Sequence, residues 1–144
     1  MDNISINVLV VDDEEEFLAS ITKSLSVRNF KVVAVNRGEK AIEAVKEHSI
    51  DVALVDLKMP GINGEETLAA LKKEQEGLEV IILTGHGTIG SAVECTRIGA
   101  FAFLQKPCEL NELLDTLHRA YEKKQKNVAE INERRIKDIL KAKA

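Results

Sequence analysis

Val52-Ala53-Leu54-Val55-Asp56 is the stretch whose reading decides the fold. Apolar residues without alternation describe a strand buried on both faces, as in a parallel sheet flanked by helices, and this run stops on a carboxylate. The pattern recurs. Val8-Leu9-Val10-Val11 runs into Asp12-Asp13, Val80-Ile81-Ile82-Leu83 into Thr84, and Phe101-Ala102-Phe103-Leu104-Gln105 into Lys106-Pro107. Lys31–Val35 supplies one further strand, with no such residue at its end.

Helical periodicity fills the intervals. Phe17, Ile21 and Leu25 share one helix face after the acidic first turn Glu14-Glu15-Glu16, which suits a helix N-terminus. Ala41, Ile42 and Val45 follow Gly38, and Leu68 and Leu71 follow Gly61 and Gly64. Ala92, Val93 and Thr96 follow Gly85, Gly87 and Gly90, and Leu110, Leu113, Leu114 and Leu117 follow Pro107. This order, a strand then a helix repeated, predicts an α/β fold with a doubly wound five-stranded parallel sheet, (βα)5. Ligands of such sheets bind outside the carboxyl ends of the strands. Asp12, Asp13, Asp56, Thr84 and Lys106 all fall there.

The chain of 144 residues, 44% hydrophobic and 31% charged, is sized for one soluble globular domain, and with 3% aromatics its core must be aliphatic. No apolar run approaches the roughly 18 residues that span a bilayer. Residues 1–4 carry no basic segment followed by an apolar one, so no membrane contact and a cytoplasmic location are expected. Cys95 and Cys108 lack metal-type spacing and read as reduced thiols. Residues 1–118 carry 11 Lys/Arg against 20 Asp/Glu, and residues 119–144 carry 9 against 4, so an acidic body bears a basic tail.

Convergent carboxylates repel unless neutralised, and all-oxygen ligation with few protein ligands favours Mg²⁺, which also shares phosphate oxygens. Lys106 brings a compact charge for a phosphoryl oxygen or for Asp56, and Thr84 a hydroxyl donor. These are the parts for in-line phosphoryl transfer to an aspartate. Taken singly, each residue has a plainer role: an Asp or Thr after a strand most often caps the next helix, and a Lys before Pro is usually solvated. Their joint placement at strand ends outweighs those roles.

Val10-Val11-Asp12-Asp13, Asp56-Leu57-Lys58-Met59-Pro60-Gly61 with Gly64, Leu83-Thr84-Gly85-His86-Gly87-Thr88, and Gly99-Ala100 through Lys106-Pro107 together resemble the receiver domains of two-component response regulators. The resemblance covers about residues 4–125 and implies the flavodoxin-like strand order 2-1-3-4-5. It also implies roles. Asp56 would accept a phosphoryl group from a sensor histidine kinase or phosphotransfer protein. Asp12, Asp13, Asp56 and the backbone carbonyl of Lys58 would hold Mg²⁺. Lys106 would pair with Asp56 before phosphorylation and with the phosphoryl group after it, and Lys106-Pro107 would be a cis peptide. Thr84 would move toward the phosphoryl group and let Phe103 rotate inward. Lys58 and His86, each two residues beyond a site residue, would tune the lifetime of the acyl phosphate. Such a protein is a switch that catalyses its own phosphorylation and dephosphorylation rather than an enzyme acting on other substrates.

Two other functions compete. An aspartate-nucleophile, Mg²⁺-dependent phosphohydrolase resembling the haloacid dehalogenases would need a second Asp two residues after the nucleophile, where Lys58 stands. A phosphate-independent interaction module would leave the pocket idle. The motifs around Thr84 and Lys106 look most like receivers attached to AAA+ transcriptional activators. No Gly-rich phosphate loop with Lys-Ser/Thr is present, and the chain is either a stand-alone receiver or one excised from a longer regulator.

From Leu110 to about Ala144 there is no Pro or Gly, which permits one long helix. Leu110, Leu114, Leu117, Tyr121, Val128 and Ile131 follow a helical seam, but Lys124, Arg135 and Asp138 interrupt it, against a long coiled coil. Residues 126–144 are therefore expected to form a basic extension or linker, with a homodimer through the last helices as one role and a frayed tail as the plainer one. No direct contact with nucleic acid is expected, since no DNA-binding motif follows.

Overall fold

The computed structural model describes residues 5–143, so residues 1–4, the expected domain start at residue 4 and the last residue of the extension lie outside it. Strands β1 (Ile6–Val11), β2 (Phe30–Val35), β3 (Val52–Val55), β4 (Glu79–Thr84) and β5 (Ala102–Gln105) alternate with helices α1 (Glu15–Ser26), α2 (Gly38–Glu47), α3 (Gly64–Glu74), α4 (Ile89–Ile98) and α5 (Leu110–Ala142). All neighbouring strands pair parallel in the order β2-β1-β3-β4-β5, the topology the resemblance implies.

Successive strand residues point to opposite faces. Leu9, Val11, Ala53, Val55, Val80 and Ile82 join the core layer beneath α2, α3 and α4. Val8, Val10, Val52, Leu54, Ile81 and Leu83 join the layer beneath α1 and α5. Both faces are thus buried, which is why these strands read as unbroken apolar runs. Burial pushes the Cys95 thiol up to about 11, consistent with a structural thiol inside the first layer.

Local chemistry sets the helix starts. Asn63 caps α3 in a capping box: its side chain accepts from the Glu66 N–H at 2.8 Å, and Glu66 accepts from the Asn63 N–H at 3.0 Å. Thr88 and Ser91 do the same for α4. α5 runs unbroken for 33 residues, about 50 Å. Among the described residues no helix is long and apolar enough to cross a membrane.

Candidate functional site

Parallel pairing brings the strand ends together. Val11 pairs with both Val35 and Val55, Val55 with Ile82, and Thr84 with Gln105, so the residue after each strand emerges at one edge. Backbone bonds extend the ladder into the site: Asp56 N–H donates to the Val11 carbonyl at 3.0 Å, Asp12 N–H to Val35 at 3.1 Å, and Lys106 N–H to Thr84 at 2.9 Å.

Asp12, Asp13 and Asp56 converge there, with one carboxylate oxygen of each within 4.8 Å of the others. Asp12 and Asp56 are buried and Asp13 is exposed, so the cluster opens to solvent on one side only. Lys106 reaches in from β5. Its ammonium donates to Asp12 Oδ2 at 2.6 Å and to Glu14 Oε1 at 3.3 Å, and stands 3.8 Å from Asp56 Oδ2. Lys106 therefore pairs most closely with Asp12, with Asp56 the more distant partner. It is positioned between carboxylates and takes the one whose oxygen it reaches at hydrogen-bond distance. Its charge also lies over the Phe17 ring, 3.9 Å from the centroid.

Burial raises the Asp12 carboxyl above its ordinary range, and Asp56 adds to this; the Lys106 hydrogen bond and the Glu14 N–H pull it back only in part. Burial also works against the Lys106 charge. Asp12, with Asp56 and Glu14, nevertheless holds the ammonium above the usual lysine value. The pocket is thus a place where negative charge is in excess and costly.

Asp56 Oδ1 is buried and, among the described residues, has no hydrogen-bond partner. A buried carboxylate oxygen without a donor, beside two more carboxylates, fits a hard divalent cation. The donor set is all oxygen, as Mg²⁺ requires.

Thr84 is fully buried at the end of β4, and its hydroxyl accepts from the His86 N–H at 3.1 Å. Phe103 is half-buried against the α2–α4 core layer, its ring edge lying over Gly87. A Cβ on Gly87 would stand 2.7 Å from that ring, so glycine is what permits the approach. Lys58 and His86 are exposed, and they line one shallow depression of about 420 Å³ with Asp13, Glu14, Met59 and Pro60. The Lys106-Pro107 peptide is cis.

Some site contributors were not legible in the sequence. Glu14 reads there as a first-turn acid but is the N-cap of α1 and a partner of Lys106. Gly64 is packed against the Asp56 backbone, where a Cβ would meet the Asp56 carbonyl oxygen at 2.3 Å. The spacing of Gly61 and Gly64 after Asp56 was the available signal for it.

A family model for the response regulator receiver domain matches residues 8–118. The transcriptional regulatory protein GlrR of Escherichia coli is 33% identical over 116 residues, which is 81% of this chain and 26% of that protein. The C4-dicarboxylate transport transcriptional regulatory protein DctD of Pseudomonas aeruginosa is 35% identical over 115 residues, 80% of this chain and 25% of that one. The chain thus spans about a quarter of the length of these curated relatives. Among solved structures, a response regulator receiver domain protein from Clostridium thermocellum superposes with a TM-score of 0.79 at 33% identity, covering 83% of this chain and 97% of that one. A CheY-like receiver domain protein from Methanospirillum hungatei has a TM-score of 0.81 at 24% identity over 85% of this chain and 98% of that one, and shares the fold. The matched span takes in β1 from Val8, the other four strands and the whole acidic pocket, and the chain belongs to the response regulator receiver family.

Proposed function

We propose that Asp56 is the phosphoacceptor of this receiver and that the surrounding side chains make, hold and report its acyl phosphate. The observation that carries the reading is the buried Asp56 Oδ1, without a partner among the described residues, beside Asp12, Asp13 and Lys106. Response regulators are phosphorylated by histidine kinases, so the donor is a phosphohistidine of a sensor kinase or phosphotransfer protein. An Asp56 oxygen forms the new O–P bond as the P–N bond of the donor breaks, and the departing imidazole keeps the electron pair and takes a proton. Bound Mg²⁺, held by Asp12, Asp13, Asp56 and the Lys58 carbonyl, would supply charge neutralisation for the incoming phosphoryl oxygens. A cation held on Asp12 would leave the Lys106 ammonium, now bonded to Asp12, free for the phosphoryl group.

Thr84 and Phe103 form the reporting pair. The Thr84 hydroxyl exchanges its bond from the His86 N–H for one donated to a phosphoryl oxygen, and Phe103 follows into the space released. Lys58 and His86 stand on the rim across which water reaches the phosphorus. Exchanging either for Ala is expected to alter autodephosphorylation severalfold without abolishing phosphorylation, measured as decay of the phosphorylated protein; unchanged decay in both variants removes them from that role.

The unit with this task is residues 4–125, in the cytoplasm, and residues 126–144 are its basic extension or linker, helical through Ala142. The relatives are named as transcriptional regulatory proteins, so nucleic-acid binding through an output domain belongs to the reading for a longer chain. The expectation of no direct contact with nucleic acid gives way to this reading.

Metal removal is the first test. Incubation with acetyl phosphate and Mg²⁺ is expected to add one phosphoryl group by intact mass, and chelation of the metal to reduce uptake at least about tenfold. Equal uptake with chelator refutes the metal assignment. No adduct under either condition indicates an inert interaction module, and multiple turnover of a small phosphate ester indicates a phosphohydrolase.

A further inference from the structure

The apolar stripe of α1 does not end in the core. Leu25 and Ile21 are buried in the layer beneath α1 and α5, but Phe17, one turn nearer the N-terminus, is only half-buried. An aliphatic side chain would finish that stripe equally well, and this chain has only four phenylalanines. The difference lies in what faces the ring. The Lys106 ammonium stands over it, 3.9 Å from the centroid. The face of a benzene ring is electron-rich and attracts a cation without accepting its proton.

Phe17 and Lys106 line one cavity of about 550 Å³ whose other walls include Ile21, Leu83, Leu110 and Leu113, and the Lys106 side chain is 16% exposed. Attraction between a cation and a ring strengthens as water is excluded in this way.

Three carboxylates surround the same ammonium, and they differ in what they offer it during phosphorylation. Asp12 accepts at 2.6 Å and Glu14 at 3.3 Å, whereas Asp56 at 3.8 Å is beyond hydrogen-bond reach. Asp12 is a metal ligand in the reading above, and once it holds a cation it is lost to the lysine and a like charge stands beside it. The Glu14 side chain is 62% exposed and draws the ammonium toward water. Phe17 stays at the pocket. Its ring takes no metal and accepts no proton, and it gives the ammonium up to a phosphoryl oxygen without leaving an unpaired charge behind.

We propose that Phe17 is a positioning residue for phosphorylation: its ring is the seat that keeps Lys106 in the pocket once Asp12 holds the metal, until the ammonium closes on the phosphoryl group. This rests on the reading of Asp56 as phosphoacceptor and adds to it a residue outside the acidic motif.

Proton NMR on the full chain reads the seat directly. Methylene protons beside an ammonium that sits over a ring are shielded, so the Lys106 Hε resonances are expected upfield of those of exposed lysines such as Lys137. They are expected to remain upfield when Mg²⁺ is added, and to move to the exposed-lysine position in Phe17→Leu. The kinetic arm uses Phe17→pentafluorophenylalanine, which keeps a ring of similar shape and inverts the charge on its face. Phosphoryl uptake from acetyl phosphate at saturating Mg²⁺ is expected to slow about fivefold in that variant and in Phe17→Leu, and to keep the parent rate in Phe17→Tyr. The fluorinated ring retains the packing that leucine loses, so its slowing separates charge from shape. Lys106 resonances that shift to the exposed-lysine position on adding Mg²⁺ to the parent chain overturn the proposal, as does parent-like uptake in the fluorinated variant. Failure of the underlying reading looks different: the parent chain itself then takes up no phosphoryl group, and the inference falls with it.

Discussion

Asp56→Asn is expected to lose all phosphoryl uptake while melting no lower than the parent chain. The first effect is chemical: the amide has no anionic oxygen to form the O–P bond. The second follows from the pocket's electrostatics. Asp56 is 2% exposed, and among the described residues one of its oxygens lacks a partner while its ion-pair partner, Lys106, is 3.8 Å away and already bonded to Asp12. Removing the charge relieves burial and repulsion from Asp12, and loses only a long ion pair. In metal-free buffer the net gain is on the order of 1 kcal/mol, read as a rise in thermal midpoint. A folded variant that still takes up phosphate would move the acceptor elsewhere. A variant that fails to fold would make Asp56 a structural group.

Gly64→Ala is expected to be among the most damaging single-methyl additions available in this chain. The new Cβ would lie 2.3 Å from the Asp56 carbonyl oxygen and 2.5 Å from the Leu57 Cα. Both are backbone atoms, so no side chain can swing away. The Gly64 N–H also donates to the Leu57 carbonyl at 2.8 Å, which ties the start of α3 to the same loop. Either α3 or the loop carrying Asp56 must move. Overpacking of this kind costs about 2 kcal/mol or more, against a helix-propensity gain of about 1 kcal/mol or less. Net destabilisation should accompany slowed phosphorylation, because the displaced loop carries the acceptor. Gly90→Ala is the matched control. Its Cβ meets nothing nearer than the Thr88 Oγ1 at 3.8 Å, within α4, so it should gain about 0.5–1 kcal/mol from propensity alone. Comparable losses in both variants would show that the close approach at Gly64 is not what matters.

The contrast between these glycines illustrates what a sequence discloses and what it does not. Asp12, Asp56, Thr84 and Lys106 were legible because parallel strands buried on both faces leave an unbroken apolar signature, and the polar residue ending each run must emerge at a shared edge. The sheet order needed the family resemblance, since periodicity alone does not rank neighbours. The Lys106–Asp12 contact, between residues 94 apart, was not legible, because which of several convergent carboxylates an ammonium reaches is decided by distances that no local pattern encodes. The same holds for α5. Lys124 interrupts the apolar seam and argued against a coiled coil; its partner, Asp51, lies 73 residues away. What reads as a defect in one helix is complementarity to another part of the fold.

The most direct test of the account is to locate the phosphoryl group. After incubation with acetyl phosphate and Mg²⁺, borohydride reduction converts an aspartyl phosphate to homoserine, which peptide mass mapping assigns to a residue. The account predicts homoserine at position 56 and nowhere else. Homoserine at position 12 or 13, or a phosphoryl group that resists reduction and maps to a histidine or hydroxyl side chain, would contradict it.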